Sequence, residues 1–141
     1  MKDTIARYKF RGDYILAKVF SPYISKKLQT LQFDFLVPVP LSPKRLYERG
    51  FNQSSALIRE AGYTPSELLL RSHSEKQSKK SRKERIQLMQ VFELCPDSVV
   101  EGKNILLFDD IYTTGSTLYH AAVVLKSAGA KSVCSFTLAR G

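Results

Sequence analysis

Cysteine is scarce in this sequence: its 141 residues hold only Cys95 and Cys134. No Cys-x-x-Cys pair occurs, so there is no material for a disulfide framework or a zinc ribbon. His73 and His120 lack the spacing that would bring them to a shared metal with the two cysteines, and no structural zinc site is expected. Cys134 lies in an apolar run and reads as core packing, Cys95 as a loop thiol. Long apolar runs are missing too. No stretch approaches the roughly 18–20 apolar residues of a membrane span. The opening Met1-Lys2-Asp3-Thr4 lacks the apolar core of a signal peptide, so the expected location is cytoplasmic. No internal repeat is found, and collagen-like and coiled-coil patterns are excluded with it.

What is present is globular. Hydrophobic residues make up 43% and charged residues 25%, which separates the chain from disordered sequences. A chain of this length can hide roughly two-thirds of its unfolded surface and needs no covalent staples. One domain spanning residues 1–141 is expected. Twenty-two Lys and Arg oppose 13 Asp and Glu, a net charge of +9. That excess is unevenly placed: residues 1–30 carry +5, residues 71–85 another +5, and the remainder −1. It fits a solvated basic face that keeps the protein soluble, or a site for a polyanion, whether a phosphorylated small molecule or a nucleic acid.

Residues 4–20 read as two short helices around Arg11-Gly12-Asp13, part of a basic N-terminal flank over 1–30. Residues 33–40 are β-branched and aromatic and stop at prolines, which predicts a strand. Residues 51–61 have helical spacing and end at Gly62. Residues 67–70 form a brief apolar run with strand character. The Ser- and Lys-rich stretch 72–85 reads as a flexible basic loop. Residues 104–108 predict a buried strand, Asp109 to Gly115 a polar turn, and 116–128 a helix with an inward stripe of Leu118, Ala121, Ala122 and Leu125, closed by Gly129. Residues 133–138 predict a further strand. Strand, helix and strand make a βαβ unit, and the fold class is α/β: a mainly parallel sheet flanked by helices.

The chemistry concentrates in residues 105–117. Four apolar residues bury a strand and deliver Asp109 and Asp110 to its C-terminal end, where α/β proteins bind ligands. Thr113, Thr114, Gly115, Ser116 and Thr117 then open a helix whose first N–H groups and dipole favour a phosphate. Two acids beside a phosphate cradle suit the hydroxyls of a ribose, directly or through hydrated Mg²⁺. A sugar phosphate is the ligand this arrangement predicts; a polar turn with a helix cap is the plainer alternative.

The run resembles the phosphoribosyl pyrophosphate (PRPP) signature of type I phosphoribosyltransferases. That resemblance implies ribose and Mg²⁺ contacts at Asp109 and Asp110, and 5′-phosphate contacts from Thr113 to Thr117. Val37-Pro38-Val39-Pro40-Leu41-Ser42-Pro43-Lys44-Arg45, the element Arg49-Gly50-Phe51-Asn52-Gln53, Tyr8-Lys9-Phe10-Arg11-Gly12-Asp13 and the closing Leu138-Ala139-Arg140 are similar to the ComF family of competence proteins. These pieces span nearly the whole chain. The family's pyrophosphate loop would correspond to Leu41, Ser42, Lys44 and Arg45, although Lys44 and Arg45 also suit an exposed helix start. Arg49, Asn52 and Gln53 suit helix capping and surface polarity as well as a ligand. The stretch 71–85 falls where such enzymes keep a loop that closes over the active site. Lys79, Lys80 and Arg82 are its expected contacts, to pyrophosphate or to a DNA backbone.

Two departures from the resemblance stand out. ComF-family proteins begin with a Cys-rich zinc module whose cysteines are not found here, which implies a lineage without it or a chain that starts after it. Purine-salvage relatives place an acid three residues beyond the second acid. Thr113 stands there, so no general base and no catalytic residue is legible. Amidotransferase members need an N-terminal cysteine, which Met1-Lys2 does not supply.

Three readings follow. The resemblance implies a late competence protein for DNA uptake and transformation, with a PRPP-type pocket, single-stranded DNA contacts and an uptake helicase as partner. Tyr8, Phe10, Tyr14, Phe20 and Tyr23, interleaved with cations, suit either base stacking or a core. The second reading is an active phosphoribosyltransferase, using PRPP and Mg²⁺ to modify an unidentified amine or nucleobase. The third is a regulator that binds PRPP and nucleic acid without turnover. A homodimer is compatible with the fold.

Overall fold

The computed structural model describes residues 16–71, 91–112 and 115–140. In chain order its elements are α1 (Leu16–Leu28), β1 (Phe35–Pro38), α2 (Pro43–Arg49), α3 (Gln53–Glu60), β2 (Leu69–Arg71), β3 (Phe92–Leu94), β4 (Asn104–Tyr112), α4 (Ser116–Ser127) and β5 (Ser132–Arg140). The sheet runs β1–β4–β5 with both pairings parallel, and β2–β3 is a separate antiparallel pair. The expected α/β class and the βαβ unit of β4, α4 and β5 are therefore present.

Alternation along the strands builds two cores. Leu36, Leu106, Phe108 and Leu138 face α1 and α3, packing on Phe20, Ile24, Leu28, Leu57 and Ile58. Val37, Val39, Ile105 and Leu107 face the other way, against α4 and the β2–β3 pair. Leu118, Ala121 and Leu125 supply α4's buried stripe, while Ala122 is only half-buried.

The proline of β1 is placed where it costs little. Val39 N–H donates to Phe108 on the β4 side, and Leu36 accepts from Ser66 N–H on the opposite edge. By alternation the N–H that Pro38 lacks would have pointed to that outer edge, so the β1–β4 ladder loses nothing. In α1, Pro22 cannot donate to Lys18, and the Ser21 hydroxyl donates to that carbonyl instead at 3.0 Å.

Several sequence expectations are corrected. The predicted N-terminal helices lie mostly outside the described residues, and the helix seen there extends to Leu28. The polar turn does not begin at Asp109: β4 continues through Tyr112, held by its pairing with β5 at Asp109↔Thr137, Ile111↔Ala139 and Tyr112↔Arg140. Cys134 is exposed rather than core, because β5 forms the rim of the sheet among the described residues. Phe20 belongs to the core, whereas Tyr23 is exposed.

Candidate sugar-phosphate site

Parallel pairing sets the C-terminal ends of β1 and β4 side by side. Asp109 and Asp110 leave β4 on opposite faces, as neighbours in a strand must. Asp109 shares its face with Leu107 and is half-buried, while Asp110 shares the Phe108 face and is only 1% exposed. Asp110 N–H donates to Asp109 Oδ1 at 2.9 Å, which fixes the first carboxylate at the strand end. After the strand, Gly115 adopts a left-handed φ of 75° and opens α4 with no side-chain cap. Ser116 and Thr117 occupy the first turn. Thr113 and Thr114 lie outside the described residues, as do Lys79, Lys80, Arg82 and the whole stretch 72–85.

The loop after β1 is shorter than the sequence indicated. Ser42 caps α2 by accepting from Arg45 N–H at 3.3 Å, Pro43 takes the first helical position, and Gly50 ends the helix at φ 80°. Lys44 and Arg45 are thus exposed first-turn residues of a helix rather than parts of an open loop. Leu41 is half-buried beside them.

Residues 49–53 divide into different roles. Asn52 caps α3, its Oδ1 accepting from Ser54 and Ser55 N–H, while its Nδ2 donates to the Val39 carbonyl at 3.1 Å. One side chain therefore starts a helix and ties it to the end of β1. Asn52→Ala is expected to lower stability by about 1–3 kcal/mol, the sum of a lost cap and a lost tie, read as a shifted urea midpoint. Gln53 is buried, at 5% exposure, which corrects its reading as surface polarity. Phe51 packs against the first core. Arg49 is half-buried and Gly50 exposed.

Arg71 is a member of this site that the sequence reading passed over, having counted it only as the first charge of a basic stretch. It ends β2 directly opposite Phe92, with its guanidinium 5.6 Å from the ring centroid. Burial pushes its pKa below the ordinary arginine value, and the Arg45 guanidinium pushes it further the same way. The Asp109 carboxylate acts in the opposite direction. Two cations and one carboxylate from three separate elements thus feel one another at the ends of β1 and β4. A phosphate group would relieve the arginine–arginine repulsion, and hydroxyls or a hydrated cation would suit Asp109.

Beside this cluster lies a cavity of about 520 Å³, between the end of β1, α2, α3 and the β2–β3 pair. Pro38, Leu41, Leu46, Phe51 and Leu69 give it apolar walls, with Arg71 among the polar groups. Asp109, Asp110 and the start of α4 do not line it. It is a neighbour of the strand-end cluster, with Arg71 common to both.

Comparison with known proteins identifies the domain. Residues 49–141 match the phosphoribosyl transferase domain. The chain belongs to that family. It is 42% identical over 140 residues to competence protein ComFC of Streptococcus pneumoniae (strain ATCC BAA-255 / R6), covering 99% of this chain and 63% of that protein. It is 44% identical over 144 residues to competence protein ComFC of Bacillus subtilis (strain 168), covering 99% of this chain and 60% of that one. The chain therefore spans under two-thirds of the length of these relatives. A solved structure of the allosteric regulatory enzyme of purine biosynthesis superposes with a TM-score of 0.58 at 19% identity, covering 86% of this chain and 25% of the other. At that identity the likeness concerns the phosphoribosyltransferase fold. No helix among the described residues is long and apolar enough to cross a membrane.

Proposed function

We propose that this chain is the phosphoribosyltransferase-type domain of a DNA-uptake protein, working in the cytosol on single-stranded DNA and carrying a pocket for PRPP or a related sugar phosphate. The observation that carries the pocket is the β1–β4 pairing that brings Asp109 to a strand end just before the start of α4, with Arg71 in electrostatic reach of Arg45 and Asp109. The competence relatives, similar along nearly the whole chain, support the uptake role.

The residues present fit Mg·PRPP. Asp109 takes the ribose hydroxyls or the hydrated cation. Asp110, buried behind it, offers its backbone N–H to orient that carboxylate. Gly115, Ser116 and Thr117, with Thr113 and Thr114 before them, receive the 5′-phosphate, and Lys44, Arg45 and Arg71 face the diphosphate. When bound, Mg²⁺ neutralises part of the diphosphate charge and so lets the anion lie near Asp109. The basic stretch 71–85, including Lys79, Lys80 and Arg82, supplies further charge to the same ligand or to a DNA backbone.

Titration calorimetry with Mg·PRPP tests the pocket, and a salt series with a short single strand tests the DNA reading. Saturable heat is expected from PRPP, and strand affinity is expected to fall steeply as salt rises. A folded sample that gives no heat at millimolar Mg·PRPP rejects the pocket; a strand affinity indifferent to salt rejects the phosphate contacts.

A further inference from the structure

The cavity beside the strand-end cluster has no part in the sugar-phosphate reading. At about 520 Å³ it falls within the roughly 300–1,000 Å³ of small-ligand pockets. Pro38 and Pro40 at the end of β1, Leu46 of α2, Phe51 and Leu69 of β2 line it, so apolar surface meets an occupant from several elements. One face of α3 supplies polar groups. Ser55, Ala56 and Arg59 are three or four residues apart and all line the cavity. Ser55 is buried and Arg59 exposed, so this face runs from the floor to the mouth. The Ser55 hydroxyl donates to Glu67 Oε1 at 3.0 Å and holds that carboxylate at the wall. Arg71 enters the lining from β2.

These groups set three conditions on an occupant: a flat apolar body, an N–H donor for the carboxylate, and negative charge for two arginines on different elements. A bare anion fails the first two, and a plain apolar molecule fails the last two. One nucleotide of an unpaired strand meets all three, with a phosphate on either side of its sugar. Arg59, Glu67 and Leu70 are exposed, which leaves the mouth open for a strand to enter and leave. A duplex keeps its base faces stacked and its amino groups paired, and gains only the charge contacts.

We propose that this cavity receives one base of a single DNA strand, with the amino group of the base on Glu67 and the neighbouring phosphates on Arg59 and Arg71. This rests on the single-strand reading above and adds a base preference to it. Cytosine donates from its N4 amino group to a carboxylate, whereas thymine presents the O4 acceptor there and is repelled.

Fluorescence anisotropy with short labelled oligocytidine and oligothymidine strands tests the site, with circular dichroism to confirm that each variant folds. The unaltered protein is expected to hold the cytidine strand about tenfold more tightly, the share of one hydrogen bond to a charged group. Glu67→Gln keeps an Oε1 for Ser55 and gains an amide donor for thymine O4, so the preference is expected to vanish. Arg59→Ala is expected to reduce the salt slope by about 0.7, the share of one phosphate contact on a single strand, and to leave the preference in place. If the unaltered protein binds both strands equally, or if its cytidine preference survives Glu67→Gln, the cavity site is wrong and the single-strand reading survives. If the unaltered protein binds neither strand, both fall.

Discussion

Replacing Phe108 by alanine is expected to destabilise the fold by about 3–5 kcal/mol. Phe108 is fully buried at the centre of the first core. Its ring stacks on Phe136 with centroids 5.4 Å apart, and the two residues are also direct partners in the β4–β5 ladder. On its other side it is paired with Pro38 of β1, and its carbonyl accepts from Val39 N–H. Removing the ring leaves a hole among Leu36, Leu106, Leu138 and the α1–α3 layer that neighbouring backbone cannot collapse into, because three strands fix it. Domains of this size are stable by about 5–15 kcal/mol, so the loss consumes a large part of the total. Urea unfolding reads it directly. A change below about 1 kcal/mol would mean that the core around β4 is loose rather than close-packed. Since Asp109 is the next residue, the same substitution also tests how far the site depends on the core beneath it.

The elements that define the fold were legible because their signals are local. Four consecutive apolar residues before Asp109, the apolar stripe of α4 and the Gly129 stop belong to short stretches of chain. The C-terminal extent of β4 was not legible. Asp109 and Asp110 are residues that strands disfavour, and pairing with residues almost thirty positions later keeps the segment through Ile111 and Tyr112 extended. Cys134 failed for a related reason: it lies in a strand with Val133, Phe136 and Leu138, but burial depends on whether a layer covers the rim strand. The helix start at Ser42-Pro43 is local chemistry, a serine at the cap followed by a proline at the first helical position. Arg71 needed the β2–β3 pairing, which sets it against Phe92 across a long intervening segment. Its part in the site follows from topology, and no local pattern announces it.

Asp109→Asn should lower Mg·PRPP affinity by about a hundredfold or more while leaving the fold intact. Asparagine keeps Oδ1, which can still accept from Asp110 N–H, so the strand end retains its local geometry. What disappears is the charge. A hydrogen bond to a charged group contributes about 1.5–3 kcal/mol, and a carboxylate serving ribose hydroxyls or a hydrated cation makes more than one, which reaches a hundredfold at about 1.4 kcal/mol per decade. Inorganic pyrophosphate provides the contrast. It lacks the ribose, and it meets Arg45 and Arg71, whose mutual repulsion Asp109 partly offsets in the free protein. With Asp109 neutralised, that pair attracts an anion at least as strongly as before. Calorimetry should therefore show PRPP affinity falling and pyrophosphate affinity holding or rising. Equal losses for both ligands would show that the substitution damages the whole cluster. Unchanged PRPP affinity would show that Asp109 does not face the sugar, and the carboxylate role would pass to Asp110, whose burial would then have to be relieved when ligand binds.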